Sequence, residues 1–353
     1  MLLRSAATAS RRTLTPLGTD GIAVSCRVRL ARNLRGVKFP DWADEAERRR
    51  VFEQATPWLA SEAGIEQARI VPVGELDESM RALLRERHLI SRDLAERGPG
   101  SGLVVSGDER VAVMINEEDH LRVQVIEPGM DLQRAWAVAD ALDSRMERQF
   151  DYAFSPKLGF LTACPSNVGT GLRASVMVHL LGLRLTNDLD AVLRALERLR
   201  LTVRGVGGEG SDAAGHMFQI SNQETLGEGE STLIDELLDV VGDVVHQERN
   251  ARLRLQRDTP EVTVDCVARA LAIIQSARIM ETEEALDYLS ALRLGVELGL
   301  LRRLTVAQVD ALTLGIQPGH LQRNMGKTLE PPRRDIVRAK VMRELLANVT
   351  LRG

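Results

Sequence analysis

The sequence predicts an α+β protein: a mixed N-terminal domain with several strands, then an all-helical C-terminal domain. Three observations predict it. Residues 101–126 alternate apolar and polar side chains in consecutive runs, the period of half-buried strands. Leu132, Trp136, Ala139, Leu142 and Met146 instead recur at three and four, the period of a helix. Beyond residue 258 only the helical period persists. A length of 353 residues suits two domains.

Taken in order, residues 1–20 read as a flexible tail. They are rich in Arg, Ser and Thr and nearly free of acid, so a targeting segment is the alternative. Residues 21–254 read as the first domain. A strand at 21–30 leads into "RLARN", a helix covers 43–62, and a short strand covers 68–73. The next strands run through "SGLVVSGDERVAVMINEEDHLRVQVI", with the acidic run Glu117, Glu118, Asp119 at a strand junction. There Arg122 points away from the face of Leu121 and Val123. A loop rich in Gly and Pro spans 155–171, and Leu172, Val176 and Leu180 predict a helix after it. A strand near 201–204 enters "RGVGGEGSDAAG", "HMFQIS" leaves it, and a long helix spans about 230–253. Residues 255–353 form the second domain. Pro260 opens a helix whose apolar face is Val267, Leu271 and Ile274. Leu289, Leu292, Val296 and Leu300 mark another, and Thr305 with Gln308 has capping-box spacing for the next.

The composition excludes several function classes. Hydrophobic residues make 44% of the chain and charged ones 27%, enough for a core and a soluble surface. A net charge of −4 gives no reason to expect a nucleic-acid or membrane partner, and no apolar run reaches membrane-spanning length. Cys26, Cys164 and Cys266 match neither a disulfide framework nor a zinc site, which suits a reducing cytoplasm. Arg supplies 42 of the 46 basic residues. Coding bias accounts for most of them, yet Arg is also the side chain suited to bidentate clamping of phosphate.

Some arginines sit where packing does not ask for them. Arg27 and Arg29 lie two apart on a strand and share a face, where like charges repel unless an anion lies between them. Arg122 lies beside the acidic run. Arg173 follows "NVGTG" at the start of the expected helix, where a cation opposes the helix dipole unless an anion binds there. Arg204 opens the Gly-rich loop. A surface salt bridge explains any one of these; the five together point to a polyphosphate site. It is not a P-loop, since GxxxxGK[ST] is absent. Glu118 and, in the Gly-rich loop, Glu209 would then need a cationic substrate. A guanidinium fits, because it pairs bidentately with carboxylate and needs a base before it can attack. Cys164, in "TACPSN", is either a buried structural thiol or a thiolate that Ser166 supports.

These residues carry a resemblance. "SCRVRLARNL", "HLISRDL", "NEEDHLR", "LTACPSNVGTGLRASV" and "RGVGGEGSDA" resemble, in order, the motifs of the ATP:guanido phosphotransferases. The resemblance implies a large antiparallel sheet flanked by helices, of the guanido kinase and glutamine synthetase-like kind. It implies that Arg27, Arg29, Arg122, Arg173 and Arg204 surround the ATP phosphates and that His88 borders the nucleotide. Ser25, the backbone of Arg173, Ala174, Ser175, Val176 and Met177, and that of Arg204, Gly205, Val206, Gly207, Gly208 and Glu209 complete the pocket. Glu118, as base, and Glu209 bind the guanidinium, Cys164 lies against it as a thiolate, and Mg2+ bridges phosphate oxygens with few protein ligands.

Two further features are similar to the bacterial protein-arginine kinase subfamily. Only about 24 residues precede "SCRVR", where the kinases of small guanidines carry a helical domain, and a helical domain follows instead. "RRDIVRAK" holds Arg334, Asp335, Arg338 and Ala339 as an RDxxRA motif, implied to bind phosphoarginine allosterically. The subfamily usually has a bulkier residue at Gly207, so this loop is expected to be more flexible. The resemblance also implies a homodimer, a zinc-binding activator protein and a Clp-type unfoldase–protease as partners, with a role in stress response and protein quality control. A kinase of free arginine and a non-catalytic phosphoarginine reader are the alternatives.

Overall fold

The computed structural model describes residues 21–61, 63–205 and 213–352. In the first half, strand and helix segments follow the periodicities of the chain. They are β1 (Ala23–Arg32), α1 (Glu45–Ser61), β2 (Arg69–Val71), α2 (Glu78–Glu86), α3 (Arg92–Glu96), β3 (Gly102–Val105), β4 (Val111–Ile115), β5 (Leu121–Pro128) and α4 (Leu132–Gln149). A small hairpin follows, β6 (Phe154–Ser155) with β7 (Gly159–Phe160), then β8 (Leu172–His179), α5 (Leu181–Leu185), α6 (Leu189–Arg198), β9 (Leu201–Gly205), β10 (Met217–Asn222) and α7 (Glu230–Asp258). Local chemistry starts several helices: Asp77, Ser91 and Asp131 each accept a backbone N–H as N-caps of α2, α3 and α4.

Eight strands form one sheet in the order β2-β3-β4-β5-β1-β8-β10-β9, and all their pairings are antiparallel. One face is the main core. Val28 and Leu30 of β1, Val123 and Val125 of β5 and Val176 and Val178 of β8 pack against Ala135, Ala139 and Leu142 of α4 and Leu237 and Val241 of α7. Leu30 is fully buried, so truncation to Ala would cost about 2–5 kcal/mol. The opposite face is covered at one end by α2 and α3, through Leu84, Leu89 and Leu94 on Leu103 and Met114. The middle of that face carries the arginines.

The segment expected as a helix after residue 171 is the central strand β8, which is a correction. Leu172 and Val176 are four apart, a spacing that fits a strand as well as a helix. Ala174 and Val178, which interleave with Leu172, Val176 and Leu180, are equally buried, so the period is two. Arg173 therefore lies on a strand, and the expected helix N-terminus beside it does not exist.

The second half holds α8 (Pro260–Ser276), α9 (Thr282–Glu297), β11 (Leu301–Arg302), α10 (Val306–Gly315), α11 (Pro318–Met325), α12 (Pro331–Leu346) and β12 (Thr350–Leu351). Its core joins Val267, Leu271 and Ile274 of α8 to Leu289 and Leu292 of α9 and Met342 of α12. Leu300 lies just past the end of α9 rather than on it. The expected capping box at Thr305 and Gln308 is present, with both reciprocal bonds. The region is helical except for the short β11–β12 pair, which fastens the chain end to buried Leu301.

Candidate active site

Register decides which side chains meet. On β1 and β8, Arg29 pairs with Arg173 and Arg27 with Ser175. On β1 and β5, Arg29 pairs with Gln124 and Ala31 with Arg122. On β10 and β9, Gln219 pairs with Arg204. Paired residues share a face, so Arg27, Arg29, Arg122, Arg173 and Arg204 all project from the face opposite the main core. Ser25 and Met177 join them through the same register. Ala174 and Val176 do not: their side chains are fully buried in the main core, and only their backbone faces the strand neighbours.

Polar neighbours hold some of these arginines. Arg27 Nη2 donates to Gln219 Oε1 at 2.9 Å, and Arg173 Nη2 to Ser221 Oγ at 3.3 Å. The Nε groups of Arg29 and Arg173 are buried with no hydrogen-bond partner. Burial first, then the charges of Arg173 and Arg122, push the Arg27 guanidinium down to about 10. Burial and the neighbouring Arg27, Arg122 and Arg173 push Arg29 well down, and burial with Arg204 and Arg122 lowers Arg173. A guanidinium does not lose its proton near neutral pH. The depression reflects burial first and crowded cations second, a cost that a polyanion on this face offsets.

The acidic run is a tight turn between β4 and β5. Asn116 sits at φ 55°, and its N–H closes the turn on the His120 carbonyl at 2.9 Å. Asn is among the residues that tolerate that left-handed backbone. The three carboxylates then separate by environment. Glu117 and Asp119 are fully buried, while the Glu118 side chain keeps 36% of its exposure. Burial raises the Glu117 carboxyl although Arg122 draws it down. Arg122 lies 3.2 Å from Glu118 and 3.8 Å from Asp119, with Glu117 also against it. Burial works against its charge, but the three carboxylates outweigh that and its pKa is raised. His120 is structural: Leu34 N–H donates to Nδ1, so the proton is on Nε2 and faces the Lys38 carbonyl. Burial lowers its pKa and keeps it neutral.

Cys164 precedes a single 3-10 turn, and its Sγ lies 3.0 Å from Ser166 Oγ, the contact expected from the sequence. His88 is exposed, and its carbonyl accepts a 2.7 Å bond from Gln124, the register partner of Arg29. The helix that follows is capped by Ser91, whose hydroxyl accepts the Leu94 N–H at 3.0 Å. Val206, Gly207, Gly208 and Glu209 lie outside the described residues. No group of three His, Cys, Asp or Glu able to hold a metal occurs among the described residues.

Four residues that position the site were not singled out from the sequence. Asp119 Oδ1 accepts from Asn33 Nδ2 at 2.6 Å and from Ala163 N–H at 2.7 Å, and Asn33 Oδ1 accepts the His120 N–H at 2.9 Å. These bonds join the turn of Glu118, the end of β1 and the loop of Cys164. Gln219 and Ser221, which hold Arg27 and Arg173, are the others. Their signal was the period of two in "MFQIS", which puts Gln219 and Ser221 opposite Phe218 and Ile220.

On α12, Arg334 is half-buried and Arg338 is 1% exposed. Arg338 donates to Met280 O at 2.8 Å, Ile316 O at 3.0 Å and Asp335 Oδ1 at 2.6 Å. An ordinary solvated helix face does not describe it.

Residues 50–251 match the model of the ATP:guanido phosphotransferase C-terminal catalytic domain, and residues 260–352 match that of the protein-arginine kinase McsB C-terminal domain. The chain is 42% identical to the protein-arginine kinase of Pelotomaculum thermopropionicum over 93% of each chain. It is 44% identical to that of Moorella thermoacetica, over 92% of this chain and 94% of the relative. Among solved structures it is similar to a lombricine kinase, with a TM-score of 0.58 and 26% identity over 72% of each chain. It is also similar to the duplicated taurocyamine kinase of Schistosoma mansoni, with a TM-score of 0.60 and 25% identity over 74% of this chain and 39% of that one.

Proposed function

The chain belongs to the ATP:guanido phosphotransferase family, and from that membership we propose how its site phosphorylates arginine side chains of proteins. The enzyme is an ATP-dependent protein-arginine kinase, a reading that the relatives in both halves support. The observation that carries the site assignment is the separation of the acidic turn. Of its three carboxylates, Glu118 reaches solvent beside the arginine face while Glu117 and Asp119 are buried.

In this reading Arg27, Arg29, Arg122, Arg173 and Arg204 bind the triphosphate, with Ser25, His88, and the backbones of 173–177 and 204–209 around the nucleotide. Magnesium would be held here through the phosphate oxygens of ATP rather than by these arginines, and would supply charge neutralisation of the triphosphate. The substrate guanidinium replaces Arg122 as the partner of Glu118, and Glu209 takes its other edge. Glu118 accepts a proton from the attacking nitrogen. That nitrogen forms the P–N bond while the bond from the γ-phosphorus to the bridging oxygen breaks and ADP leaves. A Cys164 thiolate, supported by Ser166, stabilises the guanidinium. Positioning and charge neutralisation supply most of the rate.

We further propose that residues 21–254 form the catalytic domain and 255–353 a regulatory one, that Arg334, Asp335, Arg338 and Ala339 bind phosphoarginine, and that the enzyme is a cytoplasmic homodimer. A zinc-binding activator and a Clp-type unfoldase–protease belong to the same proposal. No helix among the described residues is long and apolar enough to cross a membrane. The test is a transfer assay with Mg-ATP that offers casein and free arginine in parallel, with Glu118→Gln as control. Acid-labile, base-stable label on casein alone supports the reading, and label on free arginine alone rejects it.

A further inference from the structure

The second half of the chain meets one end of the arginine face through α9. Ser290, on α9, is 3% exposed and lies between two histidines of the first half. His179 ends β8, and His216 immediately precedes β10. His179 Nε2 is 2.7 Å from Ser290 Oγ and His216 Nδ1 is 3.1 Å from it.

The direction of the His179–Ser290 bond is determined. Arg252 Nη2, from α7, lies 3.2 Å from His179 Nδ1. A guanidinium only donates, so Nδ1 is bare and the proton is on Nε2, facing Ser290. The serine oxygen accepts that hydrogen bond and meets His216 Nδ1 on its other side. Burial lowers the pKa of both histidines, which keeps both rings neutral.

One turn earlier on α9, Asp287 Oδ1 accepts the Gly215 N–H at 2.8 Å. Gly215 sits at φ 66°, and a Cβ there would lie 3.3 Å from the Leu286 carbonyl oxygen. Only glycine fits without strain. Thus α9 holds the end of β8 and the start of β10 at their pairing point, where Met217 pairs with His179.

These two strands carry one of the phosphate-facing arginines and the groups that hold two of them. Arg173 is on β8, while Gln219 and Ser221 on β10 hold Arg27 and Arg173. We propose that Ser290 and Asp287 are positioning residues for nucleotide binding: from the C-terminal half they fasten β8 to β10 and so set the spacing of Arg27 and Arg173. Neither touches the reacting atoms. The inference rests on the assignment of the arginine face to ATP.

The test uses the full-length enzyme and titrates ADP and Mg-ATP binding alongside kinetics with casein. Ser290→Ala is expected to weaken nucleotide binding about tenfold, the factor one buried hydrogen bond carries. Its kcat at saturating ATP should stay within about twofold, because the effect is on binding rather than on the chemical step. Asp287→Ala should behave alike, and Asp287→Asn, whose amide oxygen can still accept the Gly215 N–H, should restore most of the affinity. If Ser290→Ala does not fold, the Asp287 pair decides, and equal losses in Ala and Asn overturn the proposal. Arg173→Ala separates the two levels. Weakened binding in Arg173→Ala with unchanged Ser290→Ala and Asp287→Ala rejects the positioning role alone. Unchanged binding in Arg173→Ala rejects the nucleotide assignment and the inference with it.

Discussion

Asp119 and Ala163 are joined by a 2.7 Å hydrogen bond from backbone to carboxylate, which fastens the turn of Glu118 to the loop of Cys164. The two residues are far apart in sequence, and the bond is a product of the tertiary fold. Asp119→Ala leaves Ala163 N–H without its acceptor and Asn33 Nδ2 with the Leu161 carbonyl alone. An orphaned buried donor costs about 1–3 kcal/mol. We expect a lower melting temperature and at least about tenfold lower kcat, since a base misplaced by an ångström loses rate steeply. Wild-type kcat in a folded Asp119→Ala protein would remove the positioning argument.

Glu118→Gln keeps the size of the side chain and removes the base. Transfer should fall by about 10²–10⁴, with nucleotide affinity nearly unchanged. Glu209→Gln is expected to act the same way. Equilibrium binding of ADP beside single-turnover transfer distinguishes a lost base from a lost pocket.

Arg29→Met should have opposite effects on stability and binding. The unliganded enzyme should melt higher, because a half-buried cation crowded by Arg27, Arg122 and Arg173 is removed. ATP should bind about 10–100-fold more weakly through loss of charge-assisted bonds. Thermal scans with and without nucleotide test both signs, and a lower melting point without nucleotide would contradict the crowding argument.

Stability should fall in mild acid. His120, His179 and His216 all have folded pKa values lowered by burial. The unfolded chain binds protons at these sites first, near an ordinary value of about 6.5. Their contribution is thus fully present above that value and is lost as pH falls below it, by at most about 1.4 kcal/mol per pH unit for each histidine. Unfolding curves between pH 8 and pH 5 measure the slope, and a midpoint that rises on acidification would reverse the sign.

Arg334→Ala is a cleaner probe of the proposed regulatory site than a change at Asp335. Asp335 pairs with buried Arg338, so Asp335→Ala leaves a buried cation short of its partner and should destabilise the protein. Arg334→Ala is expected to keep basal transfer and lose activation by phosphoarginine. Activation that persists in Arg334→Ala would reject that residue's assignment.

The segment at 172–179 shows why part of the fold was illegible. Leu172, Val176 and Leu180 satisfy a helical repeat, and the burial of Ala174 and Val178 that makes it a strand is a property of the sheet. Helix starts were clearer, because Thr305 and Gln308 cap within four residues of chain. The site was legible as residue types, since arginines on one strand face and an acidic run at a strand junction are local patterns. Asn33, Gln219 and Ser221 were not, because their partners lie 86, 192 and 48 residues away.

The chain by itself determined its chemistry: which residues carry cations, which carry carboxylates, and that they stand in the order of a guanido phosphotransferase. Tertiary structure decided their roles. Glu117, Glu118 and Asp119 are interchangeable as neighbouring acids in a sequence. The turn at Asn116 buries two against Arg122 and leaves Glu118 open to solvent. The arginines met by strand register across the sheet. The physical reason is desolvation, which acts through every neighbour in space and so cannot be read along the chain.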